Sequence, residues 1–351
     1  MNSIKGRGAA ENPANRFEEI HLQRDIDWNP EDDGPLHTRI FHDTTQKIIN
    51  YNDSPDVGFD ASVNPYRGCE HGCIYCFARP THEYLGFSSG LDFESKIMVK
   101  LDAPTLLRKE LSSRSWKPQV IVMSGVTDCY QPLERKLRLT RGCLEVLAEF
   151  RNPVCIITKN HLVTRDVELY AELAQYQAAA VNISITTLDP ELTPILEPRA
   201  SLPRMRLAAI RELSAAGVPV GVMVAPVVPG ITDFEMPQIV AAAVEAGAKF
   251  AGYVPVRLPY AVKDLFDTWL QRHFPDRREK VLNGIRALRD GKLNDPNFGS
   301  RLEGSGPAAE RLSKLFEVSC RKAGLPNERS SLSTAAFRVP SGPQMLLQLQ
   351  G

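Results

Sequence analysis

NPYRGCEHGCIYCFARP, residues 64–80, decides the reading of this chain: it follows a short apolar run at 61–64 and holds three cysteines within eight positions. The spacing is C-x3-C-x2-C, formed by Cys69, Cys73 and Cys76. A loop of this spacing can turn three thiolates toward one point, and soft thiolates select iron–sulfur clusters or zinc over hard cations. Three ligands rather than four is the informative part, because a cubane bound by three cysteines keeps one iron open to a non-protein ligand. Zinc is the alternative, with His71 or His82 as fourth ligand, but zinc sites usually come as paired C-x2-C halves and no second pair lies downstream. Three unconnected buried cysteines fit less well still. A disulfide framework fits poorly, since the chain has seven cysteines and such frameworks belong to small secreted domains.

Outward from the loop, short apolar runs at 61–64, 120–123, 154–158, 181–186, 218–224 and 250–255 alternate with amphipathic helical patterns at 104–113, 133–150, 164–175, 202–216 and 234–246. Asp102 with Pro104, Thr164 with Asp166, and Asp233 with Glu235 mark helix starts; Gly217 and Gly247 stand where a left-handed C-terminal residue is wanted. Runs apolar at successive positions, such as VIVM and VCII, suit parallel strands covered on both faces. Six β/α units in sequence build either an open doubly wound sheet or a complete or partial barrel, and periodicity alone does not choose. In both, the active site lies at the C-terminal ends of the strands.

The flanks read differently. Residues 1–20 are polar and without period, so they are expected to be disordered and to carry no chemistry; 21–60 form a lead-in with isolated apolar positions such as Trp28, Ile40 and Ile48. After the core at 61–258, the segment 259–351 is helical and loop-rich and is expected to cap the barrel. The 42 basic residues balance the 42 acidic ones, so the whole-molecule field gives no push toward nucleic acid or an acidic membrane. No apolar stretch is long enough to cross a bilayer and the start lacks a secretory apolar region, so the expectation is a cytoplasmic protein with no membrane partner. Seven basic residues between 271 and 293 could follow a phosphate backbone, although such a run is more often a solvated helix face.

The cysteine loop, with Tyr75 just before its last cysteine and its place after the first of six strands, resembles the radical S-adenosylmethionine (SAM) superfamily over 61–255. The resemblance implies an α/β fold built on a partial (β/α)6 TIM-like barrel. It implies a 4Fe-4S cluster on Cys69, Cys73 and Cys76, with SAM on the fourth iron cleaved reductively to methionine and a 5'-deoxyadenosyl radical. A reductant of the flavodoxin or ferredoxin type is implied as well. The longer string NPYRGCEHGCIYCFARPTHEY with SGVTDCYQPLE is similar to the branch that includes spore photoproduct lyase and proteins labelled DNA repair photolyases, which makes lyase-like chemistry on a nucleic-acid lesion an expectation. That lyase uses a cysteine near the second strand as hydrogen-atom donor. Cys129 lies in this neighbourhood, but after the Thr127-Asp128 pair rather than before it, where Gly125 stands.

Other residues are candidates for the cofactor. Ser124, Gly125, Val126, Thr127 and Asp128 occupy the turn after the second strand, which in SAM-binding barrels faces the methionine amine. Lys159 and Asn160 end the third strand, and period-two alternation sets Asn182, Ser184 and Thr186 on one polar stripe that a bound nucleoside would satisfy. Arg199 resembles an arginine that related proteins place near cofactor or substrate, with a surface salt bridge as its plain reading. Tyr253 and Tyr75 are candidates to pack on adenine, or are barrel core. Cys143, Cys155 and Cys320 read as packing. Besides the enzyme, two functions remain: an iron–sulfur electron-transfer or scaffold protein without SAM chemistry, and a zinc-binding interaction module.

Overall fold

The computed structural model describes residues 4–17, 36–325 and 331–340. Most of the expected lead-in before residue 36, including Trp28, and the end of the C-terminal extension lie outside the described residues.

Among the described residues, ten strands form two sheets: β1 (Arg39–His42), β2 (Ile49–Tyr51), β3 (Ala61–Val63), β4 (Tyr66–Arg67), β5 (Lys96–Val99), β6 (Ile121–Met123), β7 (Val154–Thr158), β8 (Ala179–Ser184), β9 (Val220–Val227) and β10 (Phe250–Pro255). The larger sheet runs β10-β9-β8-β7-β6-β3-β2, and the small one β1-β5-β4. Six strands, β3 and β6 to β10, are mutually parallel, while β2 pairs antiparallel with β3. These six are the apolar runs of the sequence, and the alternating β/α pattern expected from it is borne out.

The helices between them are α1 (Ala103–Leu111), α2 (Leu139–Phe150), α3 (Val167–Ala174), α4 (Pro203–Ala215) and α5 (Met236–Glu245). They cover the outer face of the sheet, where Ile121, Met123, Val154, Ile156, Val181, Ile183, Val220 and Val222 lock against Leu107, Leu144, Leu147, Leu173, Ile210, Leu213 and Ile239. Each such fully buried side chain contributes roughly 1.5–3 kcal/mol relative to exposure. The inner face differs. Cys155 and Ile157 on β7, Ala180 and Asn182 on β8, and Met223 and Ala225 on β9 are only partly buried, so the barrel interior reaches solvent. The pattern expected as one helix at 133–150 is broken at Arg138, which adopts φ +54°. The break has a cause: the buried Glu134 carboxylate turns back to accept the Thr140 and Arg141 backbone N–H groups at 3.1 and 3.3 Å, capping α2.

Beyond β10 come α6 (Val262–His273), α7 (Arg278–Ala287) and α8 (Gly306–Lys322). Leu265, Phe266, Trp269, Leu282 and Ile285 of α6 and α7 share one apolar cluster with Cys73, Ile74 and Tyr75, so these helices sit over the cysteine loop. The Trp269 indole N–H donates to Ile195 O at 2.9 Å. In contrast, α8 lies along the outside of the barrel, where Phe316 meets Tyr253 at 4.7 Å. Residues 331–340 run beneath the strands: Ser333 N donates to Gln177 O and Arg338 N to Phe150 O, both at 2.9 Å.

The expectation of a disordered N-terminus fails for residues 4–17. Gly8 N and Ala9 N donate to the two Glu94 carboxylate oxygens at 3.0 and 2.8 Å, Leu91 N donates to Glu11 O at 3.2 Å, and the Asn15 amide donates to Glu83 O and Phe87 O. A strap that satisfies its backbone against side chains needs no hydrophobic period, and period was what the sequence reading looked for.

Candidate cluster and cofactor site

The cysteine loop leaves β4 and is pinned by backbone bonds: Cys69 N to Phe93 O at 2.9 Å, Ile74 N to Leu196 O at 3.2 Å, and Cys76 N to Cys73 O at 3.2 Å. Thr127 Oγ1 and Gln131 Nε2 both donate to Gly68 O, and Gln131 Oε1 accepts from Glu70 N, which ties the loop to the turn after β6. All three thiols are free; those of Cys69 and Cys73 are buried and that of Cys76 is half-buried.

Two buried glutamates grip the loop from opposite sides. On the outer side, Arg79 and Glu94 form a fully buried ion pair; the guanidinium also donates to Cys73 O at 3.0 Å, Gly72 O at 3.1 Å and Gly90 O at 3.0 Å. Glu94 in turn holds the N-terminal strap, and the fit is tight: a Cβ on Gly8 would stand 1.8 Å from Gly72 O. On the inner side, Glu197 accepts from the Tyr75 hydroxyl, from Thr186 Oγ1 at 2.6 Å and from Lys159 Nζ at 3.2 Å, while its other oxygen pairs with Arg206. Burial would raise the Glu197 carboxyl, but Arg206 and Lys159 outweigh it and hold it well below the usual carboxylate range. Lys159 Nζ donates as well to Ala225 O at 2.8 Å, and its side chain is 15% exposed toward the interior.

Next to this hub, Asp128 accepts from Thr158 Oγ1 at 2.7 Å and Lys159 N at 2.8 Å, and its Oδ2 lies 3.3 Å from His71 Nδ1. Burial raises the Asp128 carboxyl and His71 more than offsets this, leaving it lowered. His71 Nε2 faces the Asn160 amide at 3.1 Å, and His82 Nε2 faces Lys96 O at 2.9 Å. Both histidines are thus engaged within the fold. Ser124 and Gly125 turn the chain after β6 with φ of +123° and +131°; the space over Gly125 is open, while Ser124 Oγ donates to Ile157 O at 2.6 Å. A serine held at such φ is strained, and strain of this kind gathers at functional turns.

Of the residues predicted for the cofactor, Tyr75, Lys159 and Thr186 meet in one network; Ser184 adjoins it by giving its carbonyl to Arg206 at 2.9 Å. Arg199 instead pairs with Glu70 of the cysteine loop at 2.9 Å, the plain salt-bridge reading. Tyr253 is a correction: it is in register with Val224 on the helix-covered face and stacks on Phe316, so it faces away from the interior. Cys129 is also placed otherwise than expected. It has no exposure and sits in the main core with its thiol 3.6 Å from Ser124 Oγ and 3.8 Å from Met123 O, which argues against a hydrogen-donor role. Arg79, Glu94, Glu197 and Arg206 were missed. An arginine three residues past the last cysteine of the loop and a glutamate in LEPRAS beside a strand end carry no periodic signature.

A parallel β/α barrel with a loop of three free thiols at the strand C-terminal ends, facing an interior that reaches solvent, sets its thiols where β/α-barrel enzymes place their active sites. The chain belongs to the radical SAM superfamily, whose profile matches residues 63–243, and it is a radical SAM enzyme. An uncharacterized protein of Mycobacterium tuberculosis is 38% identical over 277 residues, covering 78% of this chain and 79% of that one. An uncharacterized protein of Methanocaldococcus jannaschii is 28% identical over 174 residues, 49% of this chain and 62% of the other. Among solved structures, spore photoproduct lyase complexed with dinucleoside spore photoproduct superposes with a TM-score of 0.57 at 18% identity, over 81% of this chain and 78% of that one, which shows a shared fold.

The superfamily in general carries a 4Fe-4S cluster and SAM, and the donor set fits. Three thiols from one loop lie within electrostatic reach of one another; burial and the neighbouring thiol Cys69 push Cys76 up to about 11, a repulsion that a cationic iron–sulfur core relieves. Among the described residues, no group of three or more His, Cys, Asp or Glu side chains converges closely enough to hold a single ion.

Proposed function

We propose that Cys69, Cys73 and Cys76 hold a 4Fe-4S cluster and that SAM binds beside it in the barrel interior, with hydrogen abstraction from a nucleic-acid lesion as the reaction. Bound together, cluster and SAM supply reductive cleavage to a 5'-deoxyadenosyl radical. The observation that carries the reading is the single loop of three thiols, gripped on one side by a buried ion pair and tied on the other, through Tyr75, to the polar Glu197 network beside the interior.

This chain's own residues have defined tasks there. Lys159, oriented by Glu197, Thr186 and Ala225 O, presents an ammonium to the carboxylate of the methionine moiety. The open turn at Ser124 and Gly125 offers backbone groups to its amine, and Ser184 and Asn182 offer polar partners along the inner face of β8. Tyr75 carries the loop into the Glu197 network, so loop and pocket move as one piece. Helices α6 and α7 keep water from the loop with Phe266, Trp269 and Leu270 of the first and Leu282 and Ile285 of the second. The lesion reading draws support from the likeness in fold to the lyase complexed with dinucleoside spore photoproduct. Electrons come from a reductant of the flavodoxin or ferredoxin type. Among the described residues no helix is long and apolar enough to cross a membrane.

Anaerobic reconstitution tests this. The native chain should bind iron and sulfide and release 5'-deoxyadenosine from SAM and dithionite, and each of Cys69→Ala, Cys73→Ala and Cys76→Ala should abolish both. An iron-loaded protein that leaves SAM intact would point to the electron-transfer alternative.

A further inference from the structure

The rim beside the cysteine loop displays aromatic rings that a free globular surface ordinarily covers. Phe17 and Tyr84, 55% and 72% exposed, stack on each other with centroids 4.8 Å apart. The Arg16 guanidinium lies 5.0 Å from the Phe17 ring and 3.6 Å from the ring of Tyr260, which is itself 58% exposed. The result is a continuous row, Tyr84–Phe17–Arg16–Tyr260, drawn from three separate segments. Three residues before Tyr260, Arg257 lies 4.4 Å over the ring of Phe77, which is 46% exposed and directly follows Cys76.

Two features set this surface apart from accidental exposure. Tyr260 holds φ at +50°, a left-handed conformation that a bulky side chain adopts only where the surroundings impose it. The charge is also one-sided. The carboxylate paired with Arg16, Glu83, is buried, and Arg257 makes no ion pair among the described residues, so what faces solvent is rings and guanidinium. A duplex hides its base faces. Unpaired bases present flat π-faces spaced along a polyanion, and every base stacks whatever its sequence.

We propose that this row is a platform for single-stranded nucleic acid, on which bases stack against Tyr84 and Tyr260 while Arg257 takes a phosphate beside the cluster mouth. The inference rests on the proposed nucleic-acid reading and deepens it. Its neutral overall charge is no obstacle, because the cations needed are local.

The test uses the full chain with its cluster reconstituted and a fluorescein-labelled mixed-sequence 12-nucleotide DNA strand, followed by anisotropy at low salt. Native protein should bind the strand more tightly than the matching duplex, and Phe17→Ala, Tyr84→Ala and Tyr260→Ala should each weaken binding roughly 5- to 100-fold. Formation of 5'-deoxyadenosine from SAM by the same variants should stay at the native level, which separates failure of the platform from failure of the SAM reading. No binding by the native chain, equal binding by the alanine variants, or a preference for duplex would each overturn the proposal. So would a native chain that sedimentation shows to be a dimer and that Tyr84→Ala converts to monomer, because the row would then join two copies.

Discussion

The two grips on the cysteine loop use the same pair of residue types and differ in everything around them. On the outer side, Glu94 and Arg79 have no solvent access, and their remaining partners are backbone groups: the N–H of Gly8 and Ala9 and the carbonyls of Gly72, Cys73 and Gly90. On the inner side, Glu197 and Arg206 are equally buried and Arg206 likewise donates to backbone, the Ser184 and Ser201 carbonyls, but the other partners of Glu197 are the side chains of Tyr75, Thr186 and Lys159, and Lys159 keeps a face to the interior. Backbone partners fix a position; a flexible ammonium can re-aim. The outer grip therefore reads as scaffolding and the inner one as the adjustable wall of a binding site.

The sharpest way to break this contrast is to remove one partner of the outer pair. Arg79→Met leaves Glu94 buried without its cation and should cost about 3–5 kcal/mol in anaerobic urea unfolding. Any protein that remains folded should bind SAM with native affinity. On the inner side, Glu197→Gln keeps the shape and should weaken SAM binding roughly tenfold, read by equilibrium titration, with a smaller loss of stability, in line with about 1.5–3 kcal/mol for hydrogen bonds to charged groups. Its pH dependence has a definite sign. The Glu197 carboxyl is depressed in the folded state, so its stabilisation is complete above the unfolded value of about 4.3 and is lost as pH falls below it. The stability gap between native chain and variant should therefore narrow below about pH 4.

A smaller effect is expected from Gly8→Ala. Its methyl group would meet Gly72 O, so the strap must lift, at about 1–3 kcal/mol. Faster protease cleavage within residues 4–17 and faster loss of iron to a chelator, with unchanged SAM affinity, would confirm the outer grip as scaffold. The smallest effect concerns Asp56, held down to about 2 by its hydrogen bond from Arg301. This contribution is present above about pH 4 and lost as pH falls through about 2, so Asp56→Asn should flatten the acid-unfolding curve only there, and added salt should shrink the difference.

The six strands were legible because each is rich in apolar residues and buries one face under helices, and the cysteine loop stood out because thiol spacing is chemistry written directly in sequence. What escaped reading depended on pairing at a distance. Arg79 and Glu94 are fifteen residues apart, Tyr75 and Glu197 over a hundred, and a buried charge looks on paper like a surface one until its partner is seen. Alternation predicted that a stripe of β8 would be polar and inward, yet it cannot say which parity of β10 is inward; hence Tyr253 was assigned to the wrong face. The strap shows the converse limit, since order built from side-chain bonds to backbone leaves no periodic trace.

The Asp56 carboxylate also takes Gly299 N at 2.9 Å and Arg301 Nε at 2.7 Å, linking the loop after β2 to the short helix beside β10, the two free edges of the larger sheet. A cylinder laced by a hydrogen-bond ladder has a fixed girth, but one fastened by a clasp of side chains can widen at a single seam. Loss of the Asp56–Arg301 contact would then loosen the barrel at that one seam while leaving the strand ladders intact.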